Sequence, residues 1–100
     1  MNPTIARVPT EHASRYLQQL CKHWSHKFPV DFSDEKGLIV LPLGRCDLTA
    51  AAHELTVKLT PETEDTDVAA FRNVVEAHLK RFGFREALAF DWDAREAVAA

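Results

Sequence analysis

Residues 45–60, RCDLTAAAHELTVKLT, decide the fold. In the first half Cys46, Leu48 and Ala50 alternate with Arg45, Asp47 and Thr49. After the Ala51-Ala52-His53 turn, Leu55, Val57 and Leu59 alternate with Thr56, Lys58 and Thr60. Successive side chains of a strand point to opposite faces, so two runs of period two describe a sheet with one buried face and one wet face. Such a sheet needs a covering layer on one side only.

The flanking sequence supplies that layer and more strands. Toward the N-terminus, Val30 to Ser33 and Leu38 to Leu43 read as a hairpin, with Asp34-Glu35-Lys36-Gly37 as turn chemistry and Gly37 at the position that tolerates positive φ. Pro42 removes a ladder donor and belongs at a strand end, an edge or a bulge, and Gly44 marks the next turn. Thr4 to Val8 reads as a short strand. Thr10 is the expected N-cap of a first helix running from Glu11 to Phe28, which stops before Pro29. A second helix, Asp67 to Phe82, carries Val68, Phe71, Val75, Leu79 and Phe82 on one stripe. The acids Glu62, Glu64, Asp65 and Asp67 suit the positive end of its dipole, and Gly83-Phe84 reads as a left-handed C-cap with its apolar contact. A last strand, Ala87 to Trp92, presents Leu88, Phe90 and Trp92 inward, and the alanine-rich residues 93–100 are expected to fray. The order β-α-β-β-β-β-α-β predicts an α+β two-layer sandwich, an antiparallel-rich sheet with two helices on one face, with residues 1–100 as a single domain.

Composition narrows the function. One hundred residues can bury a core without a disulfide or metal, and Cys21 and Cys46 sit in apolar-patterned positions, so both are expected as reduced, buried thiols. No apolar run approaches a membrane span, and Asn2-Pro3-Thr4 lacks the pattern of a signal peptide; a cytoplasmic protein is the expectation. Residues 1–50 hold six Lys or Arg against five acids, and residues 51–100 hold six against ten. Neither half offers the clustered basic surface that binds phosphate backbones, so nucleic acid is excluded as a partner.

On a helical wheel Ala13, Leu17, Leu20, Cys21, Trp24 and Phe28 share the core-facing stripe of the first helix. His12, Tyr16, Gln19, His23 and Lys27 line one flank, with His26 slightly further round. These, together with His78 on the flank of the second helix, are the candidate ligand-binding residues. They stand at the boundary between core and water, where the core can hold a titratable group that still reaches a ligand. The same pattern also describes side chains that edge a core with an apolar body and a polar tip.

Specific chemistries find less support. His23 and His26, three apart, could face one ion, but zinc takes three or four ligands, and Cys21 lies about 160° from His23 on the wheel. A third ligand would have to come from His12, His53 or His78. Neither cysteine has the exposed, electropositive setting of a nucleophile, no serine has a Gly-x-Ser-x-Gly context, and three scattered glycines make no phosphate loop.

The segments Arg15-Tyr16-Leu17, Leu20 to Lys27, Gly44-Arg45-Cys46 and His78 to Phe82, ending near Arg85-Glu86, resemble the bacterial domain of unknown function 2218 family over about residues 4–92. That family has no established activity. Similar domains stand alone or are appended to siderophore-interacting proteins, which are flavin-dependent ferric reductases. The order of elements is also similar to the TATA-binding-protein-like arrangement, without implying DNA binding. Three readings stay open: a binding or interaction module, as an accessory to iron–siderophore handling whose partner is a siderophore-interacting reductase or a small ligand; a metal-responsive protein using His12, His23, His26 or His78; and, ranked last, a small acid–base enzyme built on Tyr16, His23 and Lys27. Leu38 and Val40 share the parity of the wet face, which adds the expectation of a homodimer formed through the sheet.

Overall fold

The computed structural model describes residues 3–92. Its elements are β1 (Thr4–Pro9), α1 (Ala13–Trp24), β2 (Val30–Phe32), β3 (Lys36–Leu41), β4 (Gly44–Ala50), β5 (Glu54–Pro61), α2 (Val68–Phe82) and β6 (Asp91–Trp92). The alternating runs form the middle of the sheet, with Cys46 opposite Leu59 and Leu48 opposite Val57 in an antiparallel pair. The full order is β2-β3-β4-β5-β1-β6, antiparallel throughout. This is the anticipated α+β sandwich, with α1 and α2 on the face to which Ile39, Cys46, Leu48, Val57 and Leu59 point.

The core joins those sheet residues to Leu17, Leu20 and Cys21 of α1 and to Phe71, Val75 and Leu79 of α2, all fully buried. Each of the larger side chains contributes roughly 1.5–3 kcal/mol by leaving water, so the two helical stripes anchor their elements more firmly than helix propensity could. A polar strap fastens the end of the described chain. The Trp92 indole donates to Glu76, the Arg72 guanidinium lies 5.3 Å over the Trp92 ring, and Arg72 also donates to Thr4 on β1 at 3.1 Å. These contacts hold the two-residue β6 against α2 as well as against β1.

Several local expectations are corrected. Helix α1 spans Ala13–Trp24 rather than Glu11 to Phe28: His12 takes the N-cap position, and the Thr10 hydroxyl accepts the His12 N–H at 3.1 Å instead of capping deeper in the helix. Gly37 lies inside β3, not in the turn, and its φ is not positive. The reason for glycine is space, because a Cβ there would stand 2.7 Å from Cys21 Sγ and 3.3 Å from Leu17 Cδ2. Gly44 is instead the glycine with positive φ among the described residues, at 148°, and a Cβ on it would meet the Thr60 carbonyl oxygen. Gly83 closes α2 at φ −97°, outside the left-handed region, and Phe84 is 74% exposed instead of packing back on the helix. The last strand shrinks to Asp91–Trp92, although Leu88 is buried and Phe90 and Trp92 pack against the core. The expected frayed tail, 93–100, lies outside the described residues.

Both cysteines are free and buried, as expected. Burial pushes the Cys21 thiol up from an ordinary 9.0 to about 11 and raises Cys46 further, so neither is an activated nucleophile.

Candidate functional site

The helix-one stripe divides into two groups. Tyr16 and His23 are seven residues apart, which separates them by roughly 10 Å along the axis, and each end of the helix meets a different neighbour.

At the N-terminal end, Tyr16 is buried and its hydroxyl donates to the Glu86 carboxylate. The Thr10 hydroxyl reaches the same carboxylate, 3.0 and 3.1 Å from its two oxygens. His12 meets the Tyr16 ring edge-on at 6.2 Å. Burial, followed by the hydrogen bond and charge of Glu86, raises the Tyr16 pKa, so the phenol stays protonated and directed inward. A phenol whose proton is committed to a structural carboxylate is unavailable to a substrate. This group ties the segment after α2 onto the start of α1. Its second member, Glu86, carried no periodic signal in the sequence.

At the C-terminal end, α1 meets α2. The rings of His23 and His78 lie 5.1 Å apart, His78 packs 4.8 Å from Trp24, and His23 meets the edge of Phe82 at 5.9 Å. His78 Nδ1 lies 2.7 Å from the Val74 carbonyl oxygen, one helical turn earlier. A carbonyl can only accept, so Nδ1 carries the proton and Nε2 remains for other partners.

Beside these rings opens a cleft of about 540 Å³, bounded by the end of α1 and its following turn (His23, Trp24, His26, Lys27, Phe28), the β3–β4 turn (Leu41, Pro42, Leu43), and Val74 and His78 of α2. This volume falls within the range of small-molecule sites. Four of the seven candidate residues, His23, His26, Lys27 and His78, therefore line one cleft; His12 and Tyr16 belong to the other group, and Gln19 is exposed outside both.

Burial and the positive fields of His78, Arg81, His26 and Lys27, in that order, lower the His23 pKa. Sequence reasoning missed the apolar walls. Trp24 and Phe28 were assigned wholly to the core, and Leu41, Pro42 and Leu43 only to a strand. Val74 was the available signal, an apolar residue off the core stripe of α2 and four before His78, and it is 37% exposed.

Among the described residues no group of three or more His, Cys, Asp or Glu is placed to hold a metal ion. The opposite face of the sheet is a second, shallower concavity, lined in part by Asp31, Lys36, Leu38, Arg45, Asp47 and Lys58. Its charges are mixed and partly paired, Arg45 Nε lying 3.1 Å from Asp47. Leu38 and Val40 do face this side, Val40 with 43% exposure. No described helix is long and apolar enough to cross a membrane.

Comparison with known proteins agrees with the architecture. A family model described as an uncharacterized protein conserved in bacteria (DUF2218) matches residues 5–93. The NMR structure of PA4090 from Pseudomonas aeruginosa is similar, with 37% identity and a TM-score of 0.75 over 94% of this chain and 97% of that one. No curated protein matches.

Proposed function

Because the chain belongs to this uncharacterised bacterial family, DUF2218, which brings no activity with it, we propose from the geometry that it is a non-catalytic module binding a small molecule in the cleft between α1, α2 and the β3–β4 turn. The observation that carries the reading is the convergence of Trp24, Phe28, Leu43 and Val74 as apolar walls with His23, Lys27 and His78 among them. Preformed apolar concavities with a few polar groups are the usual form of a ligand site. The acid–base reading built on Tyr16, His23 and Lys27 loses its phenol, which is committed to Glu86 away from the cleft.

The test is an NMR titration with a panel of small aliphatic and aromatic compounds. Shifts confined to residues 23–28, 41–43 and 74–78, and lost in Val74→Asp, are expected. Shifts elsewhere, or none, would overturn the reading. An accessory role in iron–siderophore handling is its narrower form and rests on resemblance alone; a siderophore-interacting reductase that leaves the sedimentation of this protein unchanged removes it.

Self-association through the open sheet face is a separate reading, favoured by Leu38 and Val40 facing outward from β3. Light scattering that gives 11.3 kDa across the micromolar range removes it, and twice that mass supports it.

A further inference from the structure

We infer that the cleft is selective for a monocarboxylate with an apolar body, such as a medium-length acyl acid or a single-ring aryl acid. This rests on the small-molecule reading above and adds the ligand's charge. The side chains lining the cleft include no carboxylate, and every ionisable one is cationic when charged: His23, His26, Lys27 and His78.

The groups acting on His23 come from both helices, His26 and Lys27 from the end of α1 and its turn, and His78 and Arg81 from α2. The third wall, Leu41-Pro42-Leu43, carries no charge at all. All of these act on His23 as repulsion, which lowers its pKa, and no acid relieves it. Glu76 on α2 is already held by Trp92 and by Lys80 at 3.3 Å.

The dipole of α1 accounts for basic residues in its last turn. It does not account for His78, contributed by another helix, or for an apolar cavity between them. A bound carboxylate would supply the absent countercharge, with the Lys27 ammonium as its donor; His78, whose Nδ1 proton is held by the Val74 carbonyl, adds an Nε2 donor only when the ring is doubly protonated. The amount of charge sets the class. Lys27 is the one ammonium lining the cleft, which matches one negative charge on an apolar body rather than a polyphosphate.

Isothermal titration and NMR with hexanoate, hexanol and hexylamine test this, because the three share an apolar body and differ in charge. Hexanoate should bind about fivefold tighter than hexanol, and hexylamine weakest. Hexanoate, unlike hexanol, should raise the pKa of His23, which its cationic neighbours hold low. Lys27→Met keeps the apolar stem and should remove most of the preference for hexanoate over hexanol. If all three compounds shift the cleft residues with equal affinity, or the amine binds best, the charge selectivity is refuted and the small-molecule reading stands. If none shifts them, both fall together.

Discussion

Replacing Gly37 by Ala tests a close helix–sheet contact, that of α1 with β3. The added methyl would lie 2.7 Å from Cys21 Sγ and 3.3 Å from Leu17 Cδ2, against a comfortable separation of roughly 3.5–4.0 Å. Either α1 lifts by several tenths of an ångström over β3 or Cys21 leaves its rotamer. Overpacking of this kind costs about 1–3 kcal/mol. A gain of about 0.4–1 kcal/mol from stiffening the unfolded chain offsets part of it, because the backbone at Gly37 has no positive φ. The net expectation is a loss of about 1–2 kcal/mol.

Cys21→Ala alone should cost about 1 kcal/mol through lost packing. Combined with Gly37→Ala, it removes the atom that the new methyl strikes. The double variant should therefore be more stable than the sum of the single effects by about 1–2 kcal/mol. Urea unfolding followed by far-ultraviolet circular dichroism, with an unchanged m value, measures all three. Two results would refute the packing argument: Gly37→Ala at or above the stability of the parent protein, or effects that add to within about 0.5 kcal/mol.

Phe71, fully buried at the centre of the α2 stripe, should cost about 3–5 kcal/mol on replacement by Ala, read in the same urea assay; a change below about 1 kcal/mol would contradict its place in the core. Tyr16→Phe deletes the hydroxyl that donates to Glu86 but leaves Thr10 on that carboxylate, so a loss of about 1–3 kcal/mol is expected, with the fold intact by circular dichroism. At high pH the folded state keeps the Cys21 proton up to about 11, whereas the unfolded chain releases it near 9.0. Stability should therefore fall as pH rises through that window, by about 2–3 kcal/mol from this group, and Cys21→Ala should make the decline between pH 9 and 11 shallower, the remainder coming from Cys46 and Tyr16, whose pKa values burial also raises.

How far the sequence speaks depends on the range of the interaction. The period-two runs at 46–50 and 55–59, the stripe Phe71-Val75-Leu79 on α2 and the stripe Leu17-Leu20-Cys21-Trp24 on α1 are local patterns. A sheet with one wet face and two one-sided helices has few ways to bury them, so strand number, layer order and most of the core were legible. The buried, reduced state of both cysteines followed from the same periodicity.

What only the tertiary structure decided involves residues far apart in the chain. Gly37 is a glycine because α1 lies against it, and Gly44 because the Thr60 carbonyl lies where a Cβ would go; neither cause is visible in a local window. Tyr16 left the candidate stripe because Glu86, seventy residues later, takes its hydroxyl. His23 and His78 became neighbours because α1 and α2 pack side by side. The sequence determined which side chains stand at the edge of the core. Packing between the two helices decided which of those edges closes into a cleft, since a concavity belongs to several surfaces at once and no single element carries its pattern.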